Sequence, residues 1–197
     1  YARALLKAIE QGQVKKAEVP AYVARSLKSL LGEDFEKVYG KVKEVSADKG
    51  KLMAQYKSKI LSPAMNKADA SRGRVVYQRT CAACHIMYGE GGKIGPELTG
   101  SNRADTDYIL LNILDPNFDV PEGYRMVTIT GKDGRVYAGN VTEEDGAKVV
   151  LTMVGQTSVI SKADIKTRLV SKISLMPEGL LLPFKDKEFL DLIKYLR

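Results

Sequence analysis

Histidine and cysteine are almost absent from this chain: one His and two Cys in 197 residues. A haem held by two histidines of this chain is therefore excluded. Once Cys81, Cys84 and His85 are used, no nitrogen or sulfur ligand of those kinds remains to complete a zinc site. Long apolar runs are missing too. The runs present are short, such as Ile109-Leu110-Leu111, whereas a membrane-spanning helix needs about 20 apolar residues in a row. No span is expected. The chain opens on Tyr1 and a charged amphipathic stretch, with no apolar leader core. The expectation is a cleaved leader or, better, a piece of a longer polypeptide. Hydrophobic residues make up 44% of the chain, enough for a globular core. The length suits one large domain or two small ones.

The scarce residues stand together as Cys81-Ala82-Ala83-Cys84-His85. C-x-x-C-H is the attachment signal for c-type haem: two thiols add across the vinyl groups and the adjacent imidazole takes the iron. Two intervening residues let one helical turn present both sulfurs to one haem edge. A zinc half-site and a thioredoxin-like redox pair use related patterns. The first lacks its fourth ligand, and the second lacks a surrounding βαβ pattern. Thiol attachment of haem takes place outside the cytoplasm in bacteria, so a periplasmic or otherwise exported location is expected.

The sulfur candidates for a second axial ligand are Met53, Met65, Met87, Met126, Met153 and Met176. Met87 is too close to His85 to reach the opposite haem face. Met53 lies on a helical apolar stripe, and Met126 and Met153 lie in strand-like stretches, where methionine is usually core filler. Met65 falls outside the haem domain as the sequence divides it. Met176 precedes Pro177 in a non-repetitive loop before a closing helix, so it is the candidate thioether. With Met176 bound, the iron is closed and serves electron transfer. Without it, the site is five-coordinate and open, as in a haem enzyme or gas sensor. No distal histidine is available for a peroxidase.

Charge is uneven. Residues 1–68 carry 14 Lys and Arg against 7 Asp and Glu, and the remainder carries 17 of each, so the net +7 belongs to the first third. Interleaved Lys37, Tyr39, Lys41 and Lys43 raise the question of nucleic acid. An exported haem protein rarely meets nucleic acid, and a solvated helical face is the plainer reading.

Residues 1–66 read as short amphipathic helices. Leu5, Leu6 and Ile9 begin one stripe, Val19, Tyr22, Val23, Leu27 and Leu30 the next, then Phe35, Val38, Tyr39 and Val42, then Leu52, Met53, Tyr56 and Ile60. Ser62-Pro63 marks a linker. Asp69 or Ser71 caps a helix leading into the cysteines, and Asp105 or Thr106 caps another. Gly89 to Pro96 reads as irregular loop. Five strands are expected, over Tyr124–Thr130, Arg135–Thr142, Lys148–Met153, Thr157–Ile160 and near Lys166–Val170, as an antiparallel meander. A helix over Lys185–Leu196 closes the chain.

The helix before the C-x-x-C-H motif, Gly95-Pro96-Glu97-Leu98-Thr99-Gly100, Met176-Pro177 and the closing helix together resemble class I cytochromes c. The stretches Ile113-Leu114-Asp115-Pro116-Asn117, Gly123-Tyr124, Asp133-Gly134-Arg135 and Ser174 to Leu180 resemble a narrower group, the haem-binding domain typical of planctomycetes and verrucomicrobia. The resemblance spans residues 69–197. It implies haem c with iron, His85 and Met176 as axial ligands, and a Pro96 carbonyl accepting the His85 imidazole N–H. It also implies a crossing of the first and last helices near Gly73, Tyr77 and Tyr195. Arg103 is a further candidate, as partner to a propionate. The fold so implied is mainly α: a class I cytochrome c fold with a β insertion at about 123–172. It would fill residues 67–197, after a helical-repeat remnant over 1–66. Such domains often end large exported proteins with a propeller-type dehydrogenase domain, so the expected partners are a dehydrogenase donor and a soluble cytochrome or similar acceptor. The chain itself shows no catalytic acid, base or nucleophile.

Overall fold

Apolar residues at helical spacing draw the first forty residues into three helices: α1 (Ala2–Glu10), α2 (Ala21–Leu31) and α3 (Glu33–Tyr39). Ile9, Val19, Ala24, Leu27 and Phe35 meet in their own small core, where Phe35 stacks on Tyr39 with ring centroids 4.8 Å apart. Gly32, at φ +58°, turns the chain between α2 and α3. The computed structural model describes residues 1–197, which divide into two units, Tyr1–Ser46 and Ala47–Arg197.

The second unit begins with α4 (Ala47–Ile60) and a 3₁₀ turn at Pro63–Lys67, followed by α5 (Ala70–Thr80). The sequence draws its division at 66/67, whereas the contacts draw it at 46/47. Ile60 is 5% exposed in the core of the second unit, with Leu52, Met53, Tyr56 and Met65 packed against it. The Tyr56 ring meets Phe189 edge-on at 4.9 Å. Lysines of α4 add ion pairs at 2.7 Å: Lys49 to Glu178, Lys57 to Asp107 and Lys59 to Asp186. The basic surplus of the first third is thus partly matched by carboxylates downstream. Ser62-Pro63 is a packed turn within this unit.

Asp69 caps α5 by accepting from the Arg72 N–H at 2.9 Å. Helix α5 crosses the closing helix α7 (Asp186–Leu196) at Gly73, where a Cβ would lie 1.9 Å from the Asp191 carbonyl oxygen. Only glycine permits that approach. Asp191 is 3% exposed and accepts from the Asp69 N–H at 2.7 Å and from Arg72 Nε at 2.7 Å. Tyr77 and Tyr195 lie 5.4 Å apart at the same crossing. Between these helices come a two-residue hairpin, β1 (Ile86–Met87) with β2 (Glu90–Gly91), and α6 (Thr106–Leu114). Asp105 caps α6 by accepting from the N–H groups of Asp107 and Tyr108.

Five longer strands precede α7: β3 (Arg125–Gly131), β4 (Val136–Glu144), β5 (Lys148–Met153), β6 (Gln156–Ser161) and β7 (Ile165–Ser174). They form one antiparallel sheet in the order β6-β5-β4-β3-β7. A plain meander would leave β7 beside β6. Instead a 3₁₀ turn at Lys162–Asp164 carries the chain back, and the Lys132 N–H donates to the Asp164 carbonyl at 2.8 Å. Strand β4 changes partners midway: Val136–Gly139 pairs with β3, and Asn140–Glu144 pairs with β5. The sheet has its own core of Val127, Ile129, Val149, Leu151 and Ile160.

This sheet corrects the expected fold class. The chain is 44% helix and 21% strand, and is not a mainly-α class I cytochrome fold. The strands lie close to where alternation places them. A sheet that buries its own apolar face is a component of the architecture and not an ornament on a helical one, so the class is α+β.

Candidate functional site

The motif residues lie where α5 runs out. Cys81 ends the helix, its N–H bonded to the Tyr77 carbonyl at 2.7 Å, and the His85 N–H closes a further turn onto the Cys81 carbonyl at 3.0 Å. Both thiols are free and partly buried. Burial pushes the Cys81 thiol up to about 12, with Cys84 beside it adding to the shift, and burial raises Cys84 as well. Redox-active C-x-x-C pairs depend on lowered thiol pKa values, so this environment does not suit a thioredoxin-like pair.

A second segment runs alongside the motif and is tied to it by backbone. The N–H groups of Gly92, Gly95 and Leu98 donate to the carbonyls of Ala82, Cys84 and Ile86, each at 2.8 Å. Amid these bonds the His85 ring reaches the Pro96 carbonyl, Nδ1 to oxygen 2.7 Å. A carbonyl only accepts, so Nδ1 carries the proton and Nε2 keeps its lone pair for a metal. Burial lowers the His85 pKa while the Pro96 bond raises it, so the net shift favours the neutral imidazole that ligation requires.

Glycine makes this closeness possible. A Cβ on Gly95 would lie 2.5 Å from His85 Cε1, one on Gly91 2.0 Å from the His85 carbonyl oxygen, and one on Gly92 2.1 Å from the Ala83 carbonyl oxygen. The stretch read as irregular loop contains the β1–β2 hairpin. Tyr88 and Gly89 both have positive φ at its turn, as a type I′ turn demands. Two free thiols one turn apart, a neighbouring imidazole with Nε2 available, and a glycine cradle against its ring fit a haem attached at Cys81 and Cys84.

Met176 is half-buried on the segment after β7. Its N–H donates to Ser174 Oγ at 3.0 Å, and the Ser174 N–H donates to Asn117 Oδ1 at 2.9 Å. Asn117 Nδ2 donates to Glu178 at 3.3 Å, and Lys49 Nζ reaches both Glu178, at 2.7 Å, and the Leu114 carbonyl, at 2.6 Å. The remaining methionines lie elsewhere. Met87 is 1% exposed in the helical core, Met53 and Met65 pack against that core, and Met126 and Met153 lie in β3 and β5.

Arg103 has protein partners. Nε donates to the Thr99 carbonyl at 3.1 Å, and Nη1 donates to Tyr88 Oη at 2.9 Å and to the Leu196 carbonyl at 3.2 Å. It clamps the loop after Pro96 to the end of α7. Two contacts of the His85 segment escaped the sequence reading. Tyr77 Oη donates to the His85 carbonyl at 2.7 Å, and Asn140 Nδ2 donates to the Ile94 carbonyl at 2.7 Å. An Asn within an otherwise strand-forming stretch was the available signal for the second, since Asn is depleted in strands.

Residues 68–134 match the model of the family described as cytochrome c oxidase, cbb3-type, subunit III. No curated protein matches the chain. The family match supports a cytochrome c haem-binding domain, implies covalently bound haem c with iron, and supports haem-based electron transfer with redox partners. No helix is long and apolar enough to cross a membrane.

Proposed function

We propose that this chain is a one-electron transfer module in which Cys81 and Cys84 hold haem c and His85 and Met176 are the axial ligands. The observation that carries this reading is the 2.7 Å contact from His85 Nδ1 to the Pro96 carbonyl, which fixes the tautomer and leaves Nε2 for iron. Bound haem c supplies a ferric/ferrous couple, and methionine ligation raises its potential relative to a second histidine. The residues of the chain orient the imidazole, hold a thioether in a pinned turn, and keep water from the metal. Met176 is supported by the Ser174, Asn117, Glu178 and Lys49 contacts that hold its turn. Arg103 Nη2 is not engaged by Thr99, Tyr88 or Leu196 and is our candidate for a propionate.

A closed His/Met iron leaves no substrate position, so the module passes electrons and does not transform a substrate. We place it in the periplasm or another exported compartment, taking electrons from a dehydrogenase domain or partner and giving them to a soluble carrier. The helical segment before it fits the tail of a helical-repeat region in a longer polypeptide. Optical spectroscopy of the holoprotein tests the ligand set. The expected result is a low-spin spectrum with a weak methionine-to-ferric-iron band and no response to carbon monoxide. Met176→Ala should lower the potential and open the iron to carbon monoxide. A wild-type protein that binds carbon monoxide readily would instead establish an open-site enzyme or gas sensor. An unchanged potential in Met176→Ala would remove Met176 from the ligand role.

A further inference from the structure

We propose that Asn140 is a positioning residue for the axial histidine, and that the sheet acts through it as the rigid support of the His85 loop. The proposal rests on the reading that His85 ligates the haem iron. Asn140 is 3% exposed on β4, and its side-chain amide donates to the Ile94 carbonyl at 2.7 Å. It stands outside residues 68–134, the stretch the family model covers.

Three observations point the same way. First, the backbone bonds that tie this loop to the motif, from Gly92, Gly95 and Leu98, do not include the Ile94 carbonyl, which Asn140 takes instead. Glycines occupy positions 89, 91, 92 and 95, and glycine is the most flexible residue. Ile94 directly precedes Gly95, which lies against the imidazole, and Pro96, whose carbonyl takes the Nδ1 proton. A displacement at the Ile94 carbonyl moves both. Second, β4 lies between β3 and β5 in the sheet, and its pairing passes from β3 to β5 at Asn140, whose register partner is Thr152. The donor thus stands on a paired stretch of an interior strand. Third, Asn140 Oδ1 is buried without a hydrogen-bond partner. A buried acceptor left unmade costs stability, and an apolar residue would avoid that cost, as Val149 and Leu151 do in the sheet core. The one side-chain bond the amide makes is to Ile94.

If Asn140 holds the loop, removing its donor slackens the bond from His85 Nδ1–H to Pro96. The imidazole then becomes a weaker donor to iron, the ferric state loses stabilisation, and the reduction potential rises. The test uses full-length holoprotein. In Asn140→Leu, which keeps the number and branching of the side-chain heavy atoms, the ferrous-to-ferric ratio at fixed ambient potential should increase about threefold or more, where tenfold corresponds to about 59 mV for one electron. The His85 Nδ1 proton should exchange faster with solvent by NMR. Asn140→Val is the second variant should Asn140→Leu fail to assemble. Val149→Ala serves as control, because it weakens the same sheet without touching Ile94 and should leave the potential in place. An unchanged potential in the Asn140 variants, or an equal shift in Val149→Ala, overturns the proposal. His85→Ala separates this from failure of the underlying reading: an unaltered iron spectrum in that variant would show that His85 is not the ligand, whatever Asn140 does.

Discussion

Residues 82–98 hold to themselves by backbone: three N–H···O bonds at 2.8 Å, the Pro96 carbonyl on His85, and glycines placed where any side chain would collide. Residues 174–179 hold by side chains reaching in from elsewhere, Asn117 after α6 and Lys49 from α4, with Glu178 more than half exposed. The difference is one of tolerance. Backbone bonds between near neighbours cost little chain entropy and leave no room for substitution. Bonds between distant side chains depend on several elements being docked, and on solvent, salt and pH. On our reading the two segments carry the two axial ligands, so one is built for permanence and the other can be released.

The sharpest way to break this contrast is at Gly95. Gly95→Ala puts a Cβ 2.5 Å from the His85 ring, and either the ring or the loop must move. Overpacking of this kind costs about 1–3 kcal/mol. The expected result is a lowered melting temperature together with loss of the low-spin ferric spectrum. Normal haem loading and an unaltered spectrum would show that the loop is softer than its hydrogen bonds imply.

Truncation comes next. Residues 47–197 should melt cooperatively and load haem. Residues 69–197 lose Leu52, Met53, Tyr56 and Ile60 from the core, along with Lys49 from Glu178. Ile60 alone, buried as it is, contributes about 1.5–3 kcal/mol. The shorter piece should melt at lower temperature and bind carbon monoxide more readily. Equal melting of the two would make α4 dispensable.

The smallest effect is acid release. The Lys49 hydrogen bond, and after it that of Asn117, holds the Glu178 carboxyl below its usual range. A carboxylate whose folded pKa is depressed contributes stability that is complete above its unfolded pKa, about 4.3. That contribution is lost as pH falls through the depressed value. Acid titration below about pH 4.3 should therefore weaken the methionine-to-iron band first. Glu178→Gln should remove that component, and high salt should shrink it. The accompanying change in carbon monoxide affinity should be at most about fivefold, as for an exposed ion pair. A pH-independent band would show that the turn holds without Lys49.

The same contrast governs what could be read in advance. Cys81, Cys84, His85 and Pro96 lie within 16 residues, and their glycine-rich surroundings announce a tight loop. Caps at Asp69 and Asp105 and the strand positions are equally local. Arg103 was readable as a cation near the site, but its bonds to Tyr88 and Leu196 were not, because they depend on where α7 ends. The fold class was misjudged for a related reason. Alternation shows that a strand has one buried face, but it does not show that five such faces close on one another.

The sequence by itself determined the cofactor chemistry and the places of the longer helices and strands, because spacing, capping and alternation act between residues close along the chain. Only the tertiary structure decided that α4 belongs to the second unit, that β7 lies beside β3, and that Asn140 reaches Ile94. A periodic stripe states that a face must be buried. What it is buried against depends on the docking of elements far apart in the chain, where shape and side-chain reach make the choice.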